Sequence, residues 1–163
     1  MRIENRKKAP RQKNKMLIRP ATSSDIADLA LLVERYWEFE SIRGFDRPHI
    51  EAALIALTST PEHGAIWVAQ AHDRLCAYLI AVYMLSLEHG GMMAEIDELY
   101  VCPEMRSQGV GSLLVTAAQG DMAARGLVRL QLQLGVDNLR GRAFYERHGF
   151  RRRAGYELLD KLL

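Results

Sequence analysis

The chain has 163 residues, 48% of them apolar and 26% charged, with a net charge of +2. That length and balance suit one globular domain with its own core, and no apolar run approaches the roughly 18 residues of a membrane span. Its two cysteines, Cys76 and Cys102, lack metal-like spacing, and so low a count points to a reducing, cytoplasmic setting with no disulfide framework.

The charge is unevenly spread. Residues 1–15 carry seven basic side chains against the single Glu4, and the rest of the chain is net −4. The tail has no apolar periodicity and is expected to be a disordered extension of a domain over 16–163. No aromatic side chain interleaves with its charges to stack on bases, so a nucleic-acid partner is not expected. No apolar stretch follows the basic start, so it does not read as a secretory signal.

"MLIRP" reads as a short strand ending at Arg19-Pro20, because the residue before a proline resists helix. Thr22, Ser23 and Ser24 are cap candidates, and Asp25 favours a helix N-terminus. Ile26, Leu29, Ala30, Val33 and Trp37 then recur at helical spacing and predict a helix to about Glu40. "RGFDRP" breaks it, and a second helix is expected from about His49 to Leu57. "AIWVAQ" and "LCAYLIAVYML" flank "AHDR" as a hairpin, and "MMAEIDELYV" is a third strand stopped by Cys102-Pro103. A helix follows from about Val110 to Arg125, with Val110, Leu113, Leu114, Ala117 and Ala124 on its inner face and Gly126 as its stop. "LVRLQLQLGV" alternates as a strand, with Leu130, Leu132 and Leu134 on one face. "NLRGRAFYERHGF" is a short helix closed by Gly149, and "RRRAGYELLD" is expected to return as a last strand. The order implies one α/β domain with a mixed central sheet flanked by helices.

The stretch "RSQGVGSLL" is unusual, because glycine is costly where a helix begins. Free N–H groups at a helix start, together with the helix dipole, form an anion site. Gly109 and Gly111 leave room for a phosphate to approach. A P-loop would need lysine after Gly111, where Ser112 stands, and a dinucleotide fingerprint would need a glycine at Leu114. Neither fits.

In context, "LYVCPEMRSQGVGSLL" resembles the acyl-CoA motif of the GNAT superfamily of N-acetyltransferases in its strand, proline, R/Q-x-x-G-x-G and helix. "NLRGRAFYERHGF" resembles the same family's N-x-x-A-x-x-x-Y-x-x-x-G-F helix, with Asn138, Tyr145, Gly149 and Phe150 in register and Gly141 replacing the usual alanine. The resemblance spans about residues 16–155 and implies the GNAT-like acyl-CoA N-acyltransferase fold. It further implies that backbone groups of Leu99 and Val101 hold the pantetheine and polarise the thioester carbonyl. The N–H groups from Gln108 through Gly109, Val110 and Gly111 to Ser112 would cradle the pyrophosphate of acetyl-CoA, with Arg106 beside it. Asn138 would contact the pantetheine arm, and Tyr145 would protonate the departing thiolate. The resemblance is also compatible with a homodimer, and it implies no metal.

The acceptor amine must lose a proton, and Glu95, Asp97 and Glu98 stand in one mostly apolar strand, where carboxylates are uncommon. Glu95 aligns with a base position in one branch of the family, while Asp97 and Glu98 align with acceptor-contacting acids in another. Alternation predicts Glu95 and Asp97 on one face and Glu98 on the other, and an inserted bulge would reassign them. Glu34 and Glu38 share a face of the first helix, with Glu40 close behind. By resemblance that helix borders the acceptor cleft, so a cationic small-molecule or peptide amine is the expected acceptor. The expected activity is direct acetyl transfer from acetyl-CoA; the alternative is a catalytically silent acyl-CoA-binding or regulatory module of the same fold. The five histidines show no ligand spacing.

Overall fold

A computed structural model describes residues 16–162. The basic tail, with its expected disorder, lies outside the described residues. β1 (Leu17–Pro20) leads through a single turn of 3-10 helix into α1 (Ile26–Glu40), followed by α2 (Arg47–Ser59). β2 (Gly64–Ala71), β3 (Arg74–Ser86) and β4 (Gly91–Val101) form the meander. α3 (Val110–Ala124), β5 (Arg129–Leu132) and α4 (Leu139–Arg147) complete the fold. The five strands lie in chain order, antiparallel from β1 to β4, with β5 parallel to β4.

Alternation along the strands builds a core on each face of the sheet. Trp67, Leu79, Ala94 and Ile96 pack with Leu114, Val115 and Ala118 of α3. Val68, Tyr78, Ile80 and Tyr100 pack with Leu29, Val33 and Leu54 of α1 and α2. The expected elements form with small shifts. α2 starts at Arg47, two residues early, because Pro48 is tolerated in a first turn where its missing N–H costs nothing. The β2–β3 turn is made by His72 and Asp73, both at positive φ, as a two-residue hairpin loop requires.

Three expectations are corrected. The buried face of α3 is Val110, Leu114, Val115, Ala118 and Met122, while Leu113 and Ala124 are exposed. The sheet meets the helix one residue further round than the pattern of leucines and alanines suggested. β5 ends at Leu132, short of Leu134, because β4 turns away from it. Residues 151–162 form no strand and are exposed throughout.

The entry to α1 is held by charge. Arg19 forks onto both oxygens of Asp25 at 2.7 and 2.8 Å, and the Thr22 N–H and hydroxyl donate to the same carboxylate. The Arg19 bonds above all, then those from Thr22, hold the Asp25 carboxyl down at about 2. A depressed acid contributes stability above its ordinary value near 3.8 and loses it as pH falls through about 2. Asp25→Asn should therefore cost about 2 kcal/mol near neutrality in urea unfolding, less than a fully buried pair because Arg19 reaches solvent. Between pH 4 and 2 the variant's stability should fall less than that of the wild type. Parallel pH curves would show that the pair contributes nothing.

Candidate active site

β4 and β5 pair only from Met93 to Ile96. Beyond that they part, and the gap is a cleft of about 640 Å³. Its walls are the end of β4, the chain after β5, the start of α3, the inner side of α4 and the C-terminal end of α1. Cys102 N–H donates to Cys76 on β3, so the hydrogen-bonding backbone groups of Tyr100 also face β3. By the same alternation those of Leu99 and Val101 face the cleft. The Val101 carbonyl accepts from Arg106 Nε at 2.9 Å, and the Arg106 guanidinium lies over the Phe39 ring, 4.5 Å from its centroid.

Gly109 caps α3 at φ +81, a left-handed conformation that a side chain would strain, and open space surrounds its Cα. The first bond at this end of the helix runs from Leu113 N–H to the Gly109 carbonyl, so the N–H groups of Val110, Gly111 and Ser112 have no partner within the helix. Gly111 faces the Phe144 ring of α4, which an added Cβ would touch at 3.4 Å. The Gln108 side chain donates to the Glu104 carbonyl at 2.8 Å. Ser112 Oγ is 3.0 Å from His148 Nε2, and burial lowers the His148 pKa.

α4 brings Asn138 and Tyr145 to the same cleft. The Asn138 side chain caps α4 by accepting from the Gly141 N–H at 2.8 Å. An added Cβ at Gly141 would meet that side chain at 2.8 Å, so alanine here would shift the Asn138 amide. Tyr145 packs edge-on against Phe144 and Phe150, and burial pushes its phenol up to about 12. It is therefore protonated at neutral pH.

The three strand carboxylates separate. Ile96 pairs with Ala81 and Glu98 with Ile80, which leaves Asp97 as the extra residue of a bulge. The bulge overturns the expected separation: Ala94 and Ile96 pack on the α3 side, so Glu95 between them shares the α1 side with Glu98 and Tyr100. There Glu98 accepts from Trp37 Nε1 at 2.9 Å and from the Tyr78 hydroxyl at 2.7 Å. Burial raises its pKa despite those two bonds. Glu95 accepts from Gln131 at 2.6 Å and Gln133 at 2.8 Å. Neither glutamate lines the cleft; Asp97 does. Partial burial first, then Glu95, raises the Asp97 carboxyl.

The acids of α1 are also redistributed. Glu34 lies 3.7 Å from Arg47 on α2, and Glu38 faces a shallow groove beside Arg35 and Glu104. Glu40 is the acid of this helix that lines the cleft, with Tyr36 and Phe39. Tyr36 is pushed up to about 12 by burial and then by Glu98 and Glu40. Sequence reasoning passed over Tyr36 and Phe39, although their i, i+3, i+4 spacing with Glu40 puts all three on one face. Arg140 and Arg147 of α4, also passed over, line the opposite wall. Cys102 is buried, and burial raises its thiol pKa, which disfavours the thiolate. Among the described residues, no three His, Cys, Asp or Glu side chains are grouped to hold a metal, and no helix is long and apolar enough to cross a membrane.

Residues 29–150 match the family model described as the acetyltransferase (GNAT) family. The uncharacterized N-acetyltransferase YhfO of Bacillus subtilis is 28% identical over 141 residues, covering 86% of this chain and 93% of its own. Among solved structures, the aminoglycoside N-acetyltransferase AAC(6')-Iy in complex with CoA superposes with a TM-score of 0.81 at 17% identity, over 94% of this chain and 99% of that one. A predicted acetyltransferase from Clostridium acetobutylicum with acetyl-CoA gives a TM-score of 0.77 at 17% identity, over 90% and 96% of the two chains.

Proposed function

Because the chain belongs to the acetyltransferase (GNAT) family, we propose that it moves the acetyl group of acetyl-CoA directly onto a primary amine carried by a cationic acceptor. The observation that carries this reading is the left-handed Gly109 opening α3 at the mouth of a cleft that also holds Tyr145 and Asp97. In this reading the free N–H groups at the start of α3 bind the pyrophosphate, assisted by the helix dipole. The inward backbone groups of Leu99 and Val101 align the pantetheine and polarise the thioester carbonyl.

Asp97 accepts the proton of the incoming ammonium. The amine nitrogen then attacks the carbonyl carbon, the C–N bond forms and the C–S bond breaks. Tyr145 gives its proton to the thiolate and is reprotonated by the second proton leaving the amine. A phenol at about 12 is a weak acid, but the apolar surroundings that raise it also raise a thiol, so donor and acceptor stay matched. Arg140 and Arg147 stand on one wall and Glu40 and Asp97 on the others. Such a cleft receives an anionic cofactor and a cationic acceptor at different sides. The likeness to aminoglycoside acetyltransferases supports the same acceptor chemistry.

A thermal melt tests the cofactor. Acetyl-CoA at roughly 100 times its dissociation constant should add about 2.7 kcal/mol to stability. Gly109→Asn, which tolerates the left-handed backbone better than other residues, should abolish that gain by placing a side chain in the open space before the helix start, with circular dichroism checking that the fold is retained. No shift with millimolar acetyl-CoA would overturn the reading.

A further inference from the structure

Ser112 is the last of the three residues at the start of α3 whose N–H groups have no partner within the helix, and it lines the cleft. Its hydroxyl is engaged: Oγ stands 3.0 Å from Nε2 of His148, the residue that caps the end of α4. His148 does not itself line the cleft. Its imidazole packs on the Phe144 ring at a centroid distance of 4.8 Å, and its backbone carbonyl lies 3.5 Å from the Gln119 amide nitrogen of α3. The charged neighbour is Arg147 on its own helix, while α3 presents Ser112 and Gln119, neither of which titrates.

The chemistry of this pair depends on which atom donates. A serine hydroxyl has one hydrogen to give, and an anionic phosphate oxygen can only accept. Where Nε2 accepts, the hydroxyl hydrogen points at the imidazole and the serine turns lone pairs toward the cleft. Where Nε2 carries a proton, it donates to Oγ and leaves the hydroxyl hydrogen to point at an anion. A doubly protonated imidazole donates from Nε2 in every arrangement, and it adds a positive charge behind the start of the helix.

We infer that His148 is a positioning residue for the cofactor: by donating from Nε2 to Ser112 Oγ it turns the serine hydroxyl, beside the Ser112 N–H, toward the pyrophosphate of acetyl-CoA. The inference rests on the acetyl-CoA reading and deepens it, because it couples the anion site to a side chain outside the cleft. Binding of the pyrophosphate and protonation of His148 then favour one another. Burial, then Arg147, holds the free imidazole below its ordinary value of 6.5, so binding draws a proton onto the ring as the pH falls. Affinity should rise as pH drops through the raised pKa of the complex and level off below that of the free protein.

Calorimetric titration with 3′-dephospho-CoA between about pH 8 and 5.5 tests this. The probe keeps the pyrophosphate and lacks the phosphate monoester that itself titrates at about pH 6. Wild-type affinity should rise about ten-fold toward the acid end, with net proton uptake on binding. His148→Phe retains an aromatic ring against Phe144 and removes the donor, so its affinity should lack that rise and the gap to the wild type should widen as pH falls. Ser112→Ala should lose most of the same rise, and it carries the test where the ring replacement disturbs α4 by circular dichroism. The double variant should lose less than the sum of the two single losses, because both remove one interaction. No binding by the wild type overturns the acetyl-CoA reading and this inference with it. Wild-type binding with a pH profile shared by both single variants, or additive losses in the double variant, overturns the inference alone.

Discussion

Tyr145→Phe should lower turnover about 100-fold or more while acetyl-CoA binds as before, the magnitude expected when a positioned proton donor is lost. The substitution keeps the ring, and the ring makes the contacts: Tyr145 packs against Phe144 and Phe150 at centroid distances of 5.0 and 5.4 Å. Only the hydroxyl is lost. Ground-state binding therefore changes little, and the deficit appears in kcat. Steady-state kinetics with the best acceptor, alongside calorimetric titration with acetyl-CoA, separate the two effects. Wild-type turnover in the variant would remove Tyr145 from the chemistry. Equal loss of turnover and affinity would recast it as a packing residue.

Asp97→Asn should lower turnover at neutral pH by about 100-fold and change the shape of the pH profile. Burial and then Glu95 raise the Asp97 carboxyl from its ordinary value, which brings a base closer to working pH. In the wild type, activity should rise with pH as this group ionises. The variant should lack that limb. It should recover only at alkaline pH, where the acceptor arrives already deprotonated. Glu98→Gln is the control. Glu98 is held by Trp37 and Tyr78 away from the cleft, so this change should alter stability and leave the acidic limb in place. An unchanged profile in Asp97→Asn, or loss of the limb in Glu98→Gln, would transfer the role of base to another residue.

The local order of elements was legible in the chain because it depends on neighbours in sequence. Helical spacing marked α1 at its actual ends, Ile26 and Glu40. Pro103 and the paired glycines marked where β4 stops and α3 begins, and the positive φ of Gly109 shows why glycine is needed there. Asn138 and Tyr145 reached the cleft together because one short helix carries both. The family followed from the same local features, since an anion site at a helix start is itself local. Tertiary structure decided what depends on partners distant in sequence. A single bulge opposite Ile80 and Ala81 placed Asp97 at the cleft and turned Glu98 to Trp37 and Tyr78, and no alternation rule reveals where a strand takes an extra residue. Glu34 was drawn to Arg47 of the next helix, and Glu40 took the place at the cleft. The expected last strand over 151–160 did not form: its sequence suits a strand, but a strand is made by pairing, and this segment pairs with none of the five strands.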